Sequence, residues 1–379
     1  FRDVYASMNA WLVRNQDARR IAYTFHTGDI VEKWTRQVDV EGRAREQFQA
    51  ASDLMKILER AGHPHGVVPG NHDNITGRSN DLFNEYFPPS RYERTPWWGD
   101  SWRRNDNLNH YDVIEVDGAK FLMLYLGYFG GPCSWPQATK EARAWCADKS
   151  PDDTIEWANR VIAKHRDHNV IVATHNYINS NGSLASPDTS RWNEIGYRYW
   201  EEVIFPNENV FMVLSGHNQA VALNIKRDVG GVKGRIVVEM MADYAGHMIE
   251  GRRAVGFLRL LQVDVDAKTM AVNSYSPWLD EHNAWEYDRF TPSRYDDSDD
   301  EFTIEIDIND IYDKRVETSL IGVSAPLDDL GAVPAEADTE ATLTWESLKP
   351  RTSYHWYAEA RDAAGTVARS AARTFTTGR

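Results

Sequence analysis

Between residues 2 and 14, apolar residues recur every three or four positions, which predicts a helix with Val4, Met8, Trp11 and Leu12 on one face. The period then changes, and "RRIAYTFHTGD" reads as a buried strand running into a polar loop. Helical spacing returns from Val40 to Ala61, where Phe48, Ala51, Met55 and Leu58 form a stripe, and "HGVVPGNHDN" is the next strand and loop. Strand, loop, helix, strand, loop is the βαβ pattern, with polar residues gathered at the strands' carboxyl ends.

Downstream the pattern repeats with variation. "HYDVIEVDGAKFLMLYLGY" predicts two strands joined at Asp117-Gly118, a strong hairpin signal. Residues 153–167 predict a helix leading to the strand "NVIVATHN", and residues 190–203 a second helix before the apolar run "NVFMVLSGHNQ". "GRIVVEMMADY", "GFLRLLQVDVD" and "KTMAVNSYSP" read as strands of a second sheet. The acidic stretch "DDSDDE" at 296–301 breaks the pattern and reads as a solvated linker or extension over 296–312. From residue 313 to 379, alternating Thr, Ala and Val with Pro/Gly turns predicts the short strands of a β-sandwich module. The expected architecture is an α/β domain over 1–295 followed by that module.

Composition narrows the function. The chain has 379 residues, more than one typical domain holds, and its 42% hydrophobic content is ample for a core. A formal charge of -15 disfavours a broad basic face for duplex nucleic acid, since such binding neutralises phosphates with Lys and Arg. No run of about 18 apolar residues is present, so no membrane-spanning helix is expected. Cys133 and Cys146 are too few and too far apart for a thiolate zinc site. They flank a Gly/Pro/Trp-rich stretch that a disulfide could staple in an exported protein, and the spacing leaves both redox states open. The chain starts at Phe1 without an initiator Met, so a targeting segment would lie upstream.

Four strand-end loops carry candidate chemistry: Gly28-Asp29, Gly70-Asn71-His72-Asp73, Thr174-His175-Asn176 and the run from Ser215 to Gln219. In an α/β sheet such loops converge on one edge, where ligands bind. One carboxylate, one amide oxygen and two imidazoles suit a divalent metal such as Mn, Fe or Zn. Each residue also has a plain structural reading. Asp29 could close an Asx turn, Asn71 could bond loop backbone, His72 could be a packed loop residue, and His175 and His217 could be satisfied buried histidines. Their recurrence in order, all at strand ends, favours the metal. His26, His63 and His65 read as structural or loop residues.

The blocks G-D, G-N-H-D, H and G-H, in that order over roughly residues 1 to 290, resemble the calcineurin-like metallophosphoesterases. That resemblance implies a four-layer α/β/β/α sandwich. It implies a dinuclear centre of divalent metal ions and hydrolysis of a phosphate-ester small molecule, a phosphodiester or phosphomonoester, by a metal-bound hydroxide. Asp29 matches the bridging carboxylate, required because two close cations repel unless an anion sits between them. Asn71, His175 and His217 match the ligands of the second metal. His72 matches the catalytic His beside the leaving group, with Asp73 orienting its ring from behind.

Two departures stand out. The family's D-x-H block is absent; the nearest candidate, Asp3-Val4-Tyr5, has no preceding strand and no His, so the first strand is expected to be missing from this chain. The last block reads G-H-N-Q and puts Gln219 where a second His would bind the first metal, a weaker ligand than imidazole. The chain is therefore expected to hold one metal well and the other poorly or not at all. The run "LKPRTSY" at 348–354 resembles a fibronectin type III domain, in which Tyr354 would form the tyrosine corner. That resemblance implies cell-surface or polymer contact and a secreted or cell-surface bacterial protein. The alternative to an enzyme is a surface or adhesion protein that keeps a catalytically weakened phosphoesterase fold for binding.

Overall fold

In the computed structural model, residues 2–32, 43–75, 77–129, 140–185, 195–249, 255–308, 329–336, 339–361, 367–371 and 373–378 are described. The chain divides into two compact units, Phe1–Lys314 and Arg315–Arg379. In chain order the first unit contains α1 (Arg2–Asn15), β1 (Thr24–His26), α2 (Arg43–Arg60), β2 (His65–Val67), α3 (Asp81–Tyr86), β3 (Trp98–Arg103), β4 (Asp106–Val116), β5 (Ala119–Leu126), α4 (Lys140–Asp148) and α5 (Pro151–Lys164). It continues with β6 (Asn169–Thr174), α6 (Ile195–Tyr199), β7 (Val210–Ser215), β8 (Val221–Arg227), β9 (Ile236–Ala242), β10 (Leu258–Asp264), β11 (Thr269–Tyr275), α7 (Asp297–Asp300) and β12 (Phe302–Glu305).

A seven-stranded mixed sheet in the order β3-β4-β5-β6-β7-β9-β8 forms the centre, with β5, β6, β7 and β9 mutually parallel. Its two faces are both apolar, as buried parallel strands require. One face, including Leu124, Val172 and Val213, packs under Ile155, Ala158 and Ile162 of α5 and Tyr199 of α6. The other, through Phe211, Met212, Val238 and Met240, meets Met270, Val272 and Ile304 of the antiparallel sheet β10-β11-β12. The parallel pair β1-β2 lies on that same side, where Phe25 joins both this core and the one around Tyr125. Trp11 and Leu12 of α1 and Phe48, Met55 and Leu58 of α2 close the outer layer against Val67, Leu258 and Leu260. Each fully buried side chain of this size contributes about 1.5–3 kcal/mol. The layering is α/β/β/α.

The hairpin at Asp117-Gly118 forms as expected, with φ of 52° and 83° at the two central residues, the twist that suits a two-residue turn. Three expectations change. "GRIVVEMMADY" becomes β9, inserted between β7 and β8 of the large sheet rather than placed in the second one, because its parallel partner β7 lies across a crossover. His65 is not a loop residue but the first residue of β2; His63 does lie in the loop before that strand, and both are buried. The acidic stretch is largely solvated but is not a linker: it forms α7 and leads straight into β12. Asp300 is buried where it accepts hydrogen bonds from Ser274 Oγ at 2.7 Å and from Tyr244 Oη and pairs with Arg259 at 3.2 Å, and β12 directly follows on the edge of β11. Three donors replace the water that the carboxylate loses.

Cys146 of α4 is buried and disulfide-bonded, and Cys133 lies outside the described residues. Among the described residues no helix is long and apolar enough to cross a membrane. In the second unit, β13 (Ser353–Trp356) pairs antiparallel with β16 (Arg373–Thr376), and β14 (Glu359–Arg361) with β15 (Val367–Arg369). Tyr354 packs against Trp345 and Phe375, and its hydroxyl accepts the Lys349 N–H at 2.7 Å.

Candidate metal centre

The loop after β1 is shaped by its backbone. Gly28 has φ of 102° and Asp29 of 55°, both left-handed, and His26 Nδ1 accepts the Gly28 N–H at 3.2 Å. Asp is one of the few side-chain-bearing residues that visits this region readily. The turn directs the Asp29 carboxylate toward the loop after β2, where Oδ1 accepts the His72 N–H at 2.9 Å. Gly70 permits that approach, since a Cβ there would lie 2.2 Å from Asp29 Oδ1 and 2.7 Å from His175 Cε1.

Four side chains from four strand ends then converge. His175 Nε2 lies 2.8 Å from Asn71 Oδ1, 3.3 Å from Asp29 Oδ2 and 3.0 Å from His217 Nδ1. His217 Nδ1 is itself 2.9 Å from Asn71 Oδ1. The other ring nitrogen of His175 donates to the Thr27 carbonyl at 2.8 Å. A carbonyl can only accept, so Nδ1 carries a proton; Nε2 is then the nitrogen that shares a second proton with the carboxylate and amide oxygens, or that offers a lone pair to a cation in that proton's place. Acceptors this close need a cation or a proton between them. Among the described residues no three His, Cys, Asp or Glu side chains form a metal-holding group by themselves; the amide oxygen of Asn71 completes this one. Two imidazole nitrogens, an amide oxygen and a carboxylate fit a borderline divalent cation.

The electrostatics match. Burial alone would raise the Asp29 carboxyl, but the charge and hydrogen bond of His175, together with His72, hold it well below the usual carboxylate range. Burial would lower His175, yet the Asp29 charge raises it. His217 is pushed down to about 3 by burial and by His175, so its ring is neutral and free to donate electrons. Its φ of 73° is unusual for a histidine, a strained conformation of the kind that collects at functional sites.

His72 stands at the rim with its side chain one-third exposed and Nδ1 4.0 Å from Asp29 Oδ2. The expected pairing of Asp73 with that ring is corrected. Asp73 is buried, and its carboxylate accepts backbone N–H groups from Gly70 at 2.8 Å, Val31 at 3.0 Å and Ile30 at 3.1 Å. Its oxygens are occupied clamping the two loops together. Burial and the Asp29 charge raise this carboxyl to about 7. Gln219 makes no hydrogen bond to the four converging residues, and its Cβ lies against Gly246.

Two neighbours were not singled out by the sequence. Tyr128, buried just past β5, stacks on the His217 ring at 5.8 Å and meets His175 edge-on at 5.7 Å. Asp243 follows β9, and its backbone N–H bonds the Ala220 carbonyl at 3.0 Å, beside the His217 loop. Both stand at strand ends, the one signal that could have found them.

Comparison with known proteins gives three findings. The model of the calcineurin-like phosphoesterase family matches residues 4–219. Over 360 residues the chain is 31% identical to the uncharacterized protein YvnB of Bacillus subtilis strain 168, a match that covers 93% of this chain and 24% of that protein. The chain thus spans about a quarter of this curated relative's length. The crystal structure of a dimetal phosphatase from Danio rerio is similar with a TM-score of 0.45 and 12% identity, over 80% of this chain and 88% of that one.

Proposed function

The chain belongs to the calcineurin-like phosphoesterase family, and from that premise we propose that it hydrolyses phosphate monoesters or diesters at the centre formed by Asp29, Asn71, His175 and His217. Membership brings phosphoester hydrolysis and use of divalent metal in general; the roles of single residues are the proposal. Those four residues would hold a divalent cation of the Mn, Fe or Zn type, which when bound would supply Lewis acidity toward a phosphoryl oxygen and lower the pKa of water.

The chain's own groups do the remainder. His175, with its proton committed to Thr27, keeps its lone pair aimed at the centre. Asp29 contributes negative charge at the same point. His72, anchored through its backbone to Asp29 and partly exposed, donates a proton or hydrogen bond to the departing oxygen. Gln219 is assigned to the other cation, the first metal of the family's pair, which its neutral amide would hold more weakly than imidazole does. The observation that carries this reading is the convergence of lone pairs from His175 Nε2, Asn71 Oδ1 and Asp29 Oδ2.

The direct experiment strips the protein with chelator and reloads it with Mn, Fe or Zn. Metal content is then measured beside hydrolysis of bis(p-nitrophenyl) phosphate and p-nitrophenyl phosphate. Metal-dependent release of p-nitrophenol is expected. A metal-loaded chain inert toward both esters would sink the enzyme reading in favour of a binding protein.

A further inference from the structure

A second feature lies on the loop 288–295, which is tied to the strand ends that flank the candidate metal centre. Asp288 closes this loop: its carboxylate accepts the Phe290 N–H at 2.8 Å, the Ser293 hydroxyl at 2.6 Å and the Arg294 N–H at 3.0 Å. The loop is fastened to the strand ends, since the Arg294 carbonyl accepts the Val221 N–H at 3.1 Å and the Tyr295 hydroxyl donates to the Asp243 carbonyl at 2.6 Å. Between it and Ser180 lies a cavity of about 260 Å³.

One wall, Ser180, belongs to a loop that carries a candidate cation ligand, and the rest is the 288–295 loop itself. Ser180 is on the loop leaving His175, and the Asn218 amide ties that loop to the His217 loop through the Ile178 carbonyl at 3.4 Å. Gly246 is the seam on the other side. A Cβ there would meet Phe290 Cε2 at 3.0 Å and Gln219 Cβ at 3.1 Å, so the Phe290 ring and the His217 loop face each other across a single glycine.

The charged group in the cavity wall is cationic. The guanidinium carbon of Arg294, which lines the cavity, lies 4.2 Å from the centre of the Phe290 ring. That of Arg289, just outside the lining, lies 5.3 Å from the same ring, with Nη1 donating to Met248 Sδ at 3.6 Å. Both side chains are exposed, and among the described residues neither forms an ion pair, in a chain whose formal charge is -15. Asp288 is close but already holds three donors. Resting on a ring fixes a guanidinium's plane while leaving its N–H edge available. The hydroxyls of Ser180 and Thr291 carry no hydrogen bond among the described residues and add neutral donors at the wall.

We propose that this cavity is a recognition subsite for the alcohol portion of the substrate, taking a second anionic group, a carboxylate or phosphate, on Arg294 and Arg289. The subsite rests on the phosphoesterase reading above and names a substrate class for it: esters whose alcohol side bears its own negative charge. A planar guanidinium suits such a group because it donates two parallel hydrogen bonds to carboxylate or phosphate oxygens.

The test is equilibrium binding to the full chain, with and without Mn, of two phosphonates that cannot be hydrolysed: 4-carboxybenzylphosphonate and 4-carbamoylbenzylphosphonate, the latter neutral at the ring substituent alone. The carboxylate compound is expected to bind about tenfold more tightly at low salt, with the margin shrinking as salt rises. Arg294→Gln, alone and with Arg289→Gln, should bring the ratio near one and leave the neutral compound's affinity unchanged, whereas Arg294→Lys should restore only part of it. A wild-type ratio near one, no binding of either phosphonate, or a ratio that survives the double substitution overturns the proposal. Discrimination in a chain that cleaves no ester would leave the subsite standing and remove the enzyme reading; cleavage of p-nitrophenyl phosphate without discrimination would do the reverse.

Discussion

His175 donates its Nδ1 proton to the carbonyl of Thr27, 148 residues earlier in the chain, at 2.8 Å. This bond joins the end of β6 to the loop after β1 and selects the tautomer whose Nε2 faces the centre. A metal therefore meets an imidazole already oriented. His175→Ala should weaken binding of the cation at this centre by about 100-fold or more, read by titration with Mn or Zn against wild type. Unchanged affinity would mean that the cation is held elsewhere.

His72 should behave differently, because it stands at the rim rather than in the convergence. For His72→Ala we expect hydrolysis to fall by about 10²–10⁴-fold with metal content unchanged. Loss of the metal together with activity would make His72 a ligand.

Asp73 separates a structural role from a catalytic one. Its carboxylate satisfies three backbone N–H groups, so Asp73→Ala should cost about 3 kcal/mol or more, given roughly 1–3 kcal/mol for each buried group left without a partner. Asp73→Asn, which keeps one acceptor oxygen, should lose less. Denaturant unfolding of both variants decides: a stable Asp73→Ala that had lost only activity would restore the ring-orienting role.

Gly70→Ala tests the close approach of the two loops. The new methyl would overlap Asp29 Oδ1 and backbone as well as the His175 ring. Cation affinity should fall at least as far as in His175→Ala, with a lower melting temperature. Near-wild-type metal binding would show that the loops can separate without harm.

His110 offers a pH test away from the centre. It is buried between Trp98 and Tyr125, with ring centres at 5.2 Å and 4.3 Å, and burial, with His65, pushes its pKa down to about 3. In the unfolded chain it titrates near 6.5, so between those values the unfolded state binds the extra proton and folding weakens as pH falls. His110→Phe keeps the stack and cannot protonate. Between pH 7.5 and pH 5, wild type should lose about 2 kcal/mol relative to this variant, at 1.36 kcal/mol for each pH unit below 6.5. Parallel stability curves would refute the neutral buried ring.

The parts of this molecule that depend on local pattern were legible in its sequence. β6 and β7 are continuous apolar runs, and the four converging residues each follow a strand end. Edge strands were harder: β3 ("WGDSWR") and β8 ("VALNIKR") carry mixed polarity because one side of each has no strand neighbour. Sheet membership of β9 depends on which strand it meets after a crossover, a long-range fact. Asp73 and Asp300 were misread for one reason. Their partners include backbone N–H groups, a hydroxyl and a guanidinium brought in by the fold, and an acidic residue in a polar run looks the same in sequence whether water or protein solvates it.

The left-handed backbone at Asp29 makes that position a filter with two meshes. Conformation at φ of 55° admits chiefly glycine, asparagine and aspartate, while the centre's cation calls for a negative charge, and aspartate alone passes both. Asparagine passes the first and fails the second, so Asp29→Asn removes one unit of charge from the centre while leaving the chain's path intact. Shape and charge are thereby separable at this one position, and the turn itself makes the separation available.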